Sequence, residues 1–210
     1  MIRILIADDH ALVREGLKQI VAETPDMVVA GEAASGQQAL DLSLKNDWDV
    51  VLLDIGMPGR GGIEVLKQLK SEKPNLPVLV LSVYPEDQYA VRALRAGASG
   101  YVTKESAPKE LIAAVRKVAQ GGKYVSPSLA ERLASDLGAD AERPIHERLS
   151  DREYQVVLML AAGKTVKEIA AELSLSVKTI STNRTRALNK TGLKNNAEIA
   201  RYVAKHGLID

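Results

Sequence analysis

Five short apolar runs, each separated from the next by a longer stretch of helical period, constrain this chain more than anything else in it. IRILIA (2–7), MVVAGEA (27–33), VVLLD (50–54), PVLVLS (77–82) and GYVTK (100–104) have the aliphatic enrichment of buried strands. Between them HALVREGLKQIVAE, GQQALDLSLK, GIEVLKQLKSE and DQYAVRALRAG repeat apolar residues three and four apart, and PKELIAAVRKVAQGG follows the last run. Strands apolar on both faces need cover on both faces, and parallel neighbours need long crossovers, which the helices supply. The expected fold is therefore an α/β domain with a five-stranded, doubly wound parallel sheet of about 120 residues.

The chain continues differently. SPSLAERLASDLG (126–138) predicts an amphipathic helix with Ser126 as N-cap, Pro127 in the first turn and Leu129, Leu133 and Leu137 on one stripe. GADAERPIHER (138–148) is a polar linker. From Leu149 onward the pattern is helical: Ser150 and Glu153 form a capping box, Gly163 marks a stop, and ELSLS breaks two short periodic segments tightly. This gives a first domain over 1–122, a linker with one amphipathic helix over 123–147, and a small all-α helix-turn-helix domain over 148–210. Charge follows the same division: residues 1–120 carry 14 Lys+Arg against 16 Asp+Glu, residues 147–210 carry 11 against 7. A basic second domain points to nucleic acid.

The absence of cysteine removes disulfides, thiol catalysis and thiolate metal sites, and His10, His146 and His206 show no ligand spacing, so a metal here is expected to bind oxygen. No run approaches the roughly 18 apolar residues of a membrane helix, and the acidic residues of MIRILIADDHALVREG do not suit a signal peptide, so a cytoplasmic protein with no membrane partner is expected. AAGKT (161–165) looks like the end of a phosphate-binding loop, but Leu158 stands where its first glycine belongs and a helix where its strand belongs.

In an open parallel sheet, ligands bind outside the carboxyl ends of the strands. Asp8 and Asp9 end the first, Asp54 the third, Ser82 the fourth, and Thr103 and Lys104 the fifth. One polar residue there simply caps a strand; convergence of four strand ends points to a site. At an effective dielectric near 20, each close carboxylate pair costs about 4 kcal/mol at 4 Å, and one lysine does not offset three anions. The site predicts a divalent cation, with Mg²⁺ the best match to carboxylate, carbonyl and water oxygens. A carboxylate beside Mg²⁺ and Lys104 can attack a phosphoryl group to give an acyl phosphate.

In the second domain Ile169, Leu173, Leu175, Val177, Ile180 and Leu188 form the expected buried seam. On the helix after Ser176, Ile180, Ala187 and Leu188 fall toward the core, and Lys178, Ser181, Thr182, Thr185 and Asn189 fall opposite, as candidate base-reading residues. Lys164, Arg186, Lys190 and Lys194 are candidate phosphate contacts. On the last helix Ile199, Tyr202 and Val203 share a stripe that suits packing inside its own domain.

ILIADDH, VVLLDIGMPGRGGIEVL, VLVLS and AGASGYVTKES resemble the receiver domain of bacterial two-component response regulators. With LSDREYQVVLMLAAGKTVKEIAAELSLSVKTIS, essentially the whole chain is similar to the NarL/FixJ class, which joins a flavodoxin-like receiver to a LuxR-type helix-turn-helix. The resemblance implies that Asp54 accepts phosphate from a sensor histidine kinase. It further implies that Asp9 and Asp54 bind Mg²⁺ directly with the Gly56 carbonyl, Asp8 acts through water, Lys104 contacts the phosphoryl group, and Ser82 and Tyr101 rearrange. Tyr101 also has a plainer reading, as an aromatic plug at the sheet edge. Phosphorylation then promotes homodimerisation, with the first and fifth helices as candidate contacts in the receiver and the Ile199, Tyr202 and Val203 stripe of the last helix as a candidate dimer face. It also promotes binding to double-stranded promoter DNA, with RNA polymerase a further candidate partner.

Two features depart from or vary within the family. Glu105 follows Lys104 where many receivers have proline, and Gly56 and Tyr84 occupy variable positions that influence phosphate lifetime. A receiver supports only its own Mg²⁺-dependent phosphorylation and dephosphorylation, so no metabolic enzyme is expected. Two other readings compete: a constitutive DNA-binding protein whose first half only dimerises, and a phosphatase of the aspartyl-phosphate kind. The acidic set with Ser82 and Lys104 argues against the former. Gly56, which offers no general acid two residues after Asp54, argues against the latter.

Overall fold

The computed structural model describes residues 1–138 and 144–209. Residues 139–143, in the middle of the polar linker, and the side chain of Leu137, expected on the amphipathic stripe, lie outside the described residues. The chain divides into two compact units, Met1–Leu137 and Gly138–Asp210. No helix among the described residues is long and apolar enough to cross a membrane.

The first unit alternates strand and helix: β1 Ile2–Ala7, α1 Ala11–Ala22, β2 Met27–Ala33, α2 Gly36–Lys45, β3 Val50–Asp54, α3 Gly62–Glu72, β4 Val78–Ser82, α4 Glu86–Arg95, β5 Gly100–Thr103 and α5 Ala107–Ala119. The strands pair in the order β2-β1-β3-β4-β5, all parallel. Every residue of β3 and β4 is buried, as both-sided cover requires. Ile4, Ile6, Val50, Leu52, Leu79, Leu81 and Val102 pack against Leu17 and Val21 of α1 and Leu111, Val115 and Val118 of α5. Their strand neighbours Leu5, Val51, Leu53 and Val80, equally buried, face the other layer.

Beyond α5 the chain returns to the sheet edge. Tyr124 accepts the Tyr101 N–H at 3.3 Å and donates its own to the Ser99 carbonyl at 2.9 Å, a one-residue parallel bridge onto β5. The helix α6 Pro127–Gly138 follows. Ser126 caps it as expected, its Oγ accepting the Leu129 N–H at 3.1 Å, and the same hydroxyl donates to Glu86 in the first turn of α4.

The second unit begins with a 3₁₀ turn at Ile145–Arg148, then α7 Asp151–Ala161, α8 Val166–Glu172, α9 Val177–Thr191 and α10 Asn196–Lys205. The Ser150–Glu153 capping box forms, and a second, Thr165–Glu168, opens α8. Gly163, at φ +84°, takes the left-handed conformation that lets the chain leave α7. Ile169, Leu173 and Ile180 are buried and Leu175 and Leu188 half-buried, but Val177 is 47% exposed and leaves the expected seam. The reason is positional: Val177 is the first residue of α9, and Ile180, almost one turn later, takes the place toward α7 and α8.

Candidate functional site

Parallel register brings the carboxyl ends of β1, β3 and β5 to one edge. Asp8 and Asp54 sit there 1% and 2% exposed. The Lys104 ammonium lies between them, 2.6 Å from Asp8 Oδ2 and 2.9 Å from Asp54 Oδ2. Asp54 Oδ1 accepts the Gly56 N–H at 2.9 Å, and the Lys104 N–H donates to the Ser82 carbonyl at 2.7 Å. Burial pushes the Asp54 carboxyl above its ordinary pKa against the opposing pull of Lys104 and the Gly56 amide. Burial also disfavours the Lys104 charge, but Asp54 and Asp8 outweigh it and hold the lysine above its ordinary value.

Asp9 joins this pair, and so does His10, whose isolation in the sequence gave no ligand spacing. One ligand atom from each of Asp8, Asp9, His10 and Asp54 lies within 4.8 Å of the others. The Asp9 Oδ1 atom is buried with His10 Nδ1 3.1 Å away and no other hydrogen-bond partner, and Asp8 Oδ2 has only its ion pair with Lys104. Three carboxylates around one ammonium carry more negative charge than it offsets and fit a divalent cation held by oxygen donors.

The glycines after Asp54 do different things. A Cβ on Gly62 would lie 2.5 Å from the Ile55 Cα, so only glycine lets α3 start against the strand end. Gly59 adopts φ +73°. At Gly56 a Cβ would make ordinary contacts, the nearest 3.4 Å from Asp54 Oδ1, so sterics do not demand glycine there.

Ser82 and Tyr101, both fully buried, converge on the backbone of Tyr84. Ser82 Oγ accepts the Tyr84 N–H at 3.0 Å, and the Tyr101 hydroxyl donates to the Tyr84 carbonyl at 2.7 Å. Burial pushes the Tyr101 phenol well up, keeping it a neutral donor. Tyr101 thus fills the sheet edge and grips the β4–α4 loop together.

In the second unit Lys178, Ser181, Thr182, Thr185 and Asn189 all lie exposed along α9. The hydroxyls of Thr182 and Thr185 donate to the Lys178 and Ser181 carbonyls at 2.9 and 3.0 Å, so they offer methyl groups and acceptor lone pairs outward. Arg186 and Lys194 are exposed, whereas Lys164 pairs with Glu172 at 2.5 Å. Lys190 is committed inward: its ammonium lies 2.7 Å from the buried carboxylate of Glu153, which also accepts the Ser150 N–H. Ile199 and Val203 are buried, and Tyr202, half-buried, bonds His146 Nδ1 at 2.9 Å.

Residues 4–116 match the family model described as response regulator receiver domain, and residues 147–203 match that of bacterial regulatory proteins, luxR family. The chain is a response regulator of the NarL/FixJ class. It is similar to the response regulator GacA of Pseudomonas aeruginosa, at 38% identity over 100% of this chain and 99% of the other. It is also similar to the response regulator UvrY of Escherichia coli, at 34% identity over 100% and 97%. Among solved structures, RcsB of Salmonella enterica serovar Typhimurium, bound to promoter rprA in the presence of phosphomimetic BeF₃⁻, aligns with a TM-score of 0.65. Identity there is 28% over 97% of this chain and 98% of that one.

Three features of this response regulator escaped the sequence pattern. His10 follows two aspartates directly, and that adjacency was the available signal for its place in the acidic cluster. Arg14, one turn into α1, donates to the Asp8 carbonyl at 2.8 Å and pairs with Glu32 at 3.2 Å, anchoring the strand end. Thr165 with Glu168 has the spacing of a capping box, inside the segment that looks like a phosphate-binding loop.

Proposed function

We propose that this response regulator is a transcriptional switch in which Asp54 takes a phosphoryl group from the phosphohistidine of a sensor kinase and thereby promotes dimerisation and promoter binding. One observation carries the reading: a single buried ammonium, Lys104, bridges Asp8 and Asp54 at the end of a fully buried strand. An Asp54 carboxylate oxygen attacks phosphorus as the bond to the kinase imidazole breaks, and the imidazole leaves neutral after taking up a proton. Lys104 then follows the negative charge from the carboxylate to the phosphoryl oxygens. Asp9, Asp54 and the Gly56 carbonyl are the residues that would hold Mg²⁺, with Asp8 acting through water. When bound, the ion supplies charge neutralisation between the attacking carboxylate and the phosphoryl oxygens.

Phosphorylation gives Ser82 a new acceptor. Its hydroxyl turning to a phosphoryl oxygen weakens its hold on the Tyr84 N–H, and Tyr101, bonded to the Tyr84 carbonyl, repositions with the loop. The receiver spans 1–122, the connecting segment 123–147 and the DNA-binding domain 148–210. In the latter, Lys178, Ser181, Thr182, Thr185 and Asn189 face the major groove, and Arg186 and Lys194 lead the phosphate contacts. One small module binds DNA modestly, so two subunits on paired half-sites are expected, in the cytoplasm and within reach of RNA polymerase. The receiver's own phosphorylation and slow hydrolysis are its only chemistry.

The test compares wild type with Asp54→Asn on randomised duplex DNA, with Mg²⁺ and with or without a small-molecule phosphodonor, following mass and oligomeric state. Wild type is expected to gain one phosphate, dimerise and select sites more tightly, and the variant to do none of these. If both bind DNA alike and neither takes up phosphate, the constitutive reading replaces the switch.

A further inference from the structure

We propose that the first turn of α6 is a latch: the Ser126 hydroxyl holds Glu86 of α4 while Asp54 is unphosphorylated, and phosphorylation breaks that bond and frees α6. This rests on the reading of Asp54 as the phosphoacceptor.

The segment ahead of α6 is tied to the sheet. Tyr124 bridges β5 through Ser99 and Tyr101, and its hydroxyl donates to Glu110 of α5 at 3.2 Å. A Cβ on Gly100 would lie 2.6 Å from the Tyr124 carbonyl oxygen and 2.9 Å from Tyr124 Cβ, so glycine at the start of β5 is what lets this segment lie against the strand. Ser126 comes two residues later, and the sheet therefore fixes where its hydroxyl stands.

Its partner stands on the part that moves. Glu86 opens α4 two residues after Tyr84, whose N–H and carbonyl are held by Ser82 and Tyr101. When Ser82 turns to a phosphoryl oxygen, the β4–α4 loop shifts and carries Glu86 with it, whereas Tyr124 stays with β5. A hydrogen bond between a fixed donor and a displaced acceptor is lost within about 1 Å of movement.

The seat of α6 suits release. Leu129 is buried and Leu133 half-buried, but a groove of about 550 Å³ remains between the first turn and its neighbours, lined by Glu86, Thr103, Ser106, Glu110, Ser126 and Leu129. Ser126 Oγ also accepts the Leu129 N–H, so losing Glu86 leaves the N-cap intact and α6 departs as a helix.

Hydrogen exchange on the full-length protein, with Mg²⁺ and with or without beryllofluoride or a small-molecule phosphodonor, provides the test. Loading Asp54 is expected to speed exchange over residues 129–133 about tenfold or more in wild type and to leave Asp54→Asn unchanged. Ser126→Asp keeps a capping oxygen but sets a second carboxylate against Glu86. It is expected to exchange fast without phosphodonor and, because coupling is reciprocal, to bind beryllofluoride about fivefold or more tightly. Adding Glu86→Lys, which restores an attraction, should reverse both effects. Wild type that gains one phosphate with exchange over 129–133 unchanged, or Ser126→Asp with wild-type beryllofluoride affinity, overturns the latch while the switch stands. Wild type that takes up no phosphate overturns the switch itself, and the latch with it.

Discussion

Replacing Lys104 with methionine keeps an apolar stem of similar length and removes the ammonium that bridges two buried carboxylates. The Asp8 and Asp54 ligand atoms lie within 4.8 Å of each other. At an effective dielectric near 20, two unit charges that far apart repel by about 3.5 kcal/mol. The variant is therefore expected to lose about 3 kcal/mol at pH 7.5, the size typical of a buried ion pair stripped of one member. The pH dependence follows from linkage. Burial already holds the Asp54 carboxyl above its ordinary value, and without Lys104 the neighbouring carboxylate raises it further. A group raised in the folded state is stabilising at low pH, and that contribution disappears as pH rises through the folded pKa. The penalty at pH 5 is thus expected to be less than half that at pH 7.5, and millimolar Mg²⁺ should shrink it at the higher pH. Urea unfolding followed by fluorescence suits the measurement, because the single tryptophan, Trp48, sits in the first unit, with its indole N–H on the Leu42 carbonyl at 2.9 Å. A penalty below about 1 kcal/mol, or one equal at both pH values, would refute the reasoning.

Other substitutions probe separate parts of the molecule. Gly62→Ala pushes a Cβ into the Ile55 backbone and is expected to lower stability by more than about 2 kcal/mol, read by the same urea titration, whereas Gly56→Ala should cost far less. Burial pushes Glu153 up, but Lys190 and Ser150 pull harder and hold it below the ordinary glutamate value of 4.5. Its contribution is present above that value and is lost as pH falls through the lower folded pKa, so Glu153→Gln should cost about 1–2 kcal/mol at pH 7 and progressively less in acid, by thermal unfolding monitored by circular dichroism. Lys194→Ala, at an exposed candidate phosphate contact, is expected to weaken DNA binding and reduce the salt slope by about one, while Lys190→Ala should mainly lower thermal stability; equal effects on the salt slope would contradict the inward pairing of Lys190.

The sheet was legible because its residues answer to one demand: strands covered on both sides must be continuously apolar, and VVLLD and VLVLS are. The acidic edge was legible for a related reason, since a carboxylate at the tip of such a run has nowhere to go but the ligand side. What the sequence hid were choices made by side-chain reach. Lys190 carries the periodicity of an exposed residue, yet its flexible stem bends to a carboxylate 37 positions away. Val177 has the hydrophobicity of a core residue but stands first in its helix, where the chain has only begun to turn inward. His10 lay in plain view beside two aspartates, and only the start of α1 decides that its ring stays with them.

The strand order β2-β1-β3-β4-β5 has a bearing on how the molecule is made. Taken in order of synthesis, each new strand adds to an edge of the sheet already present, and none must insert between two that have paired. The receiver can therefore assemble vectorially as it leaves the ribosome, at the roughly 5–20 residues per second of translation. Its acidic cluster is complete once β3 has docked, but the ammonium that bridges Asp8 and Asp54 arrives directly after β5, about 50 residues later in the chain. During that interval the nascent domain holds an uncompensated patch of negative charge, and docking of the last strand both closes the sheet and completes the site.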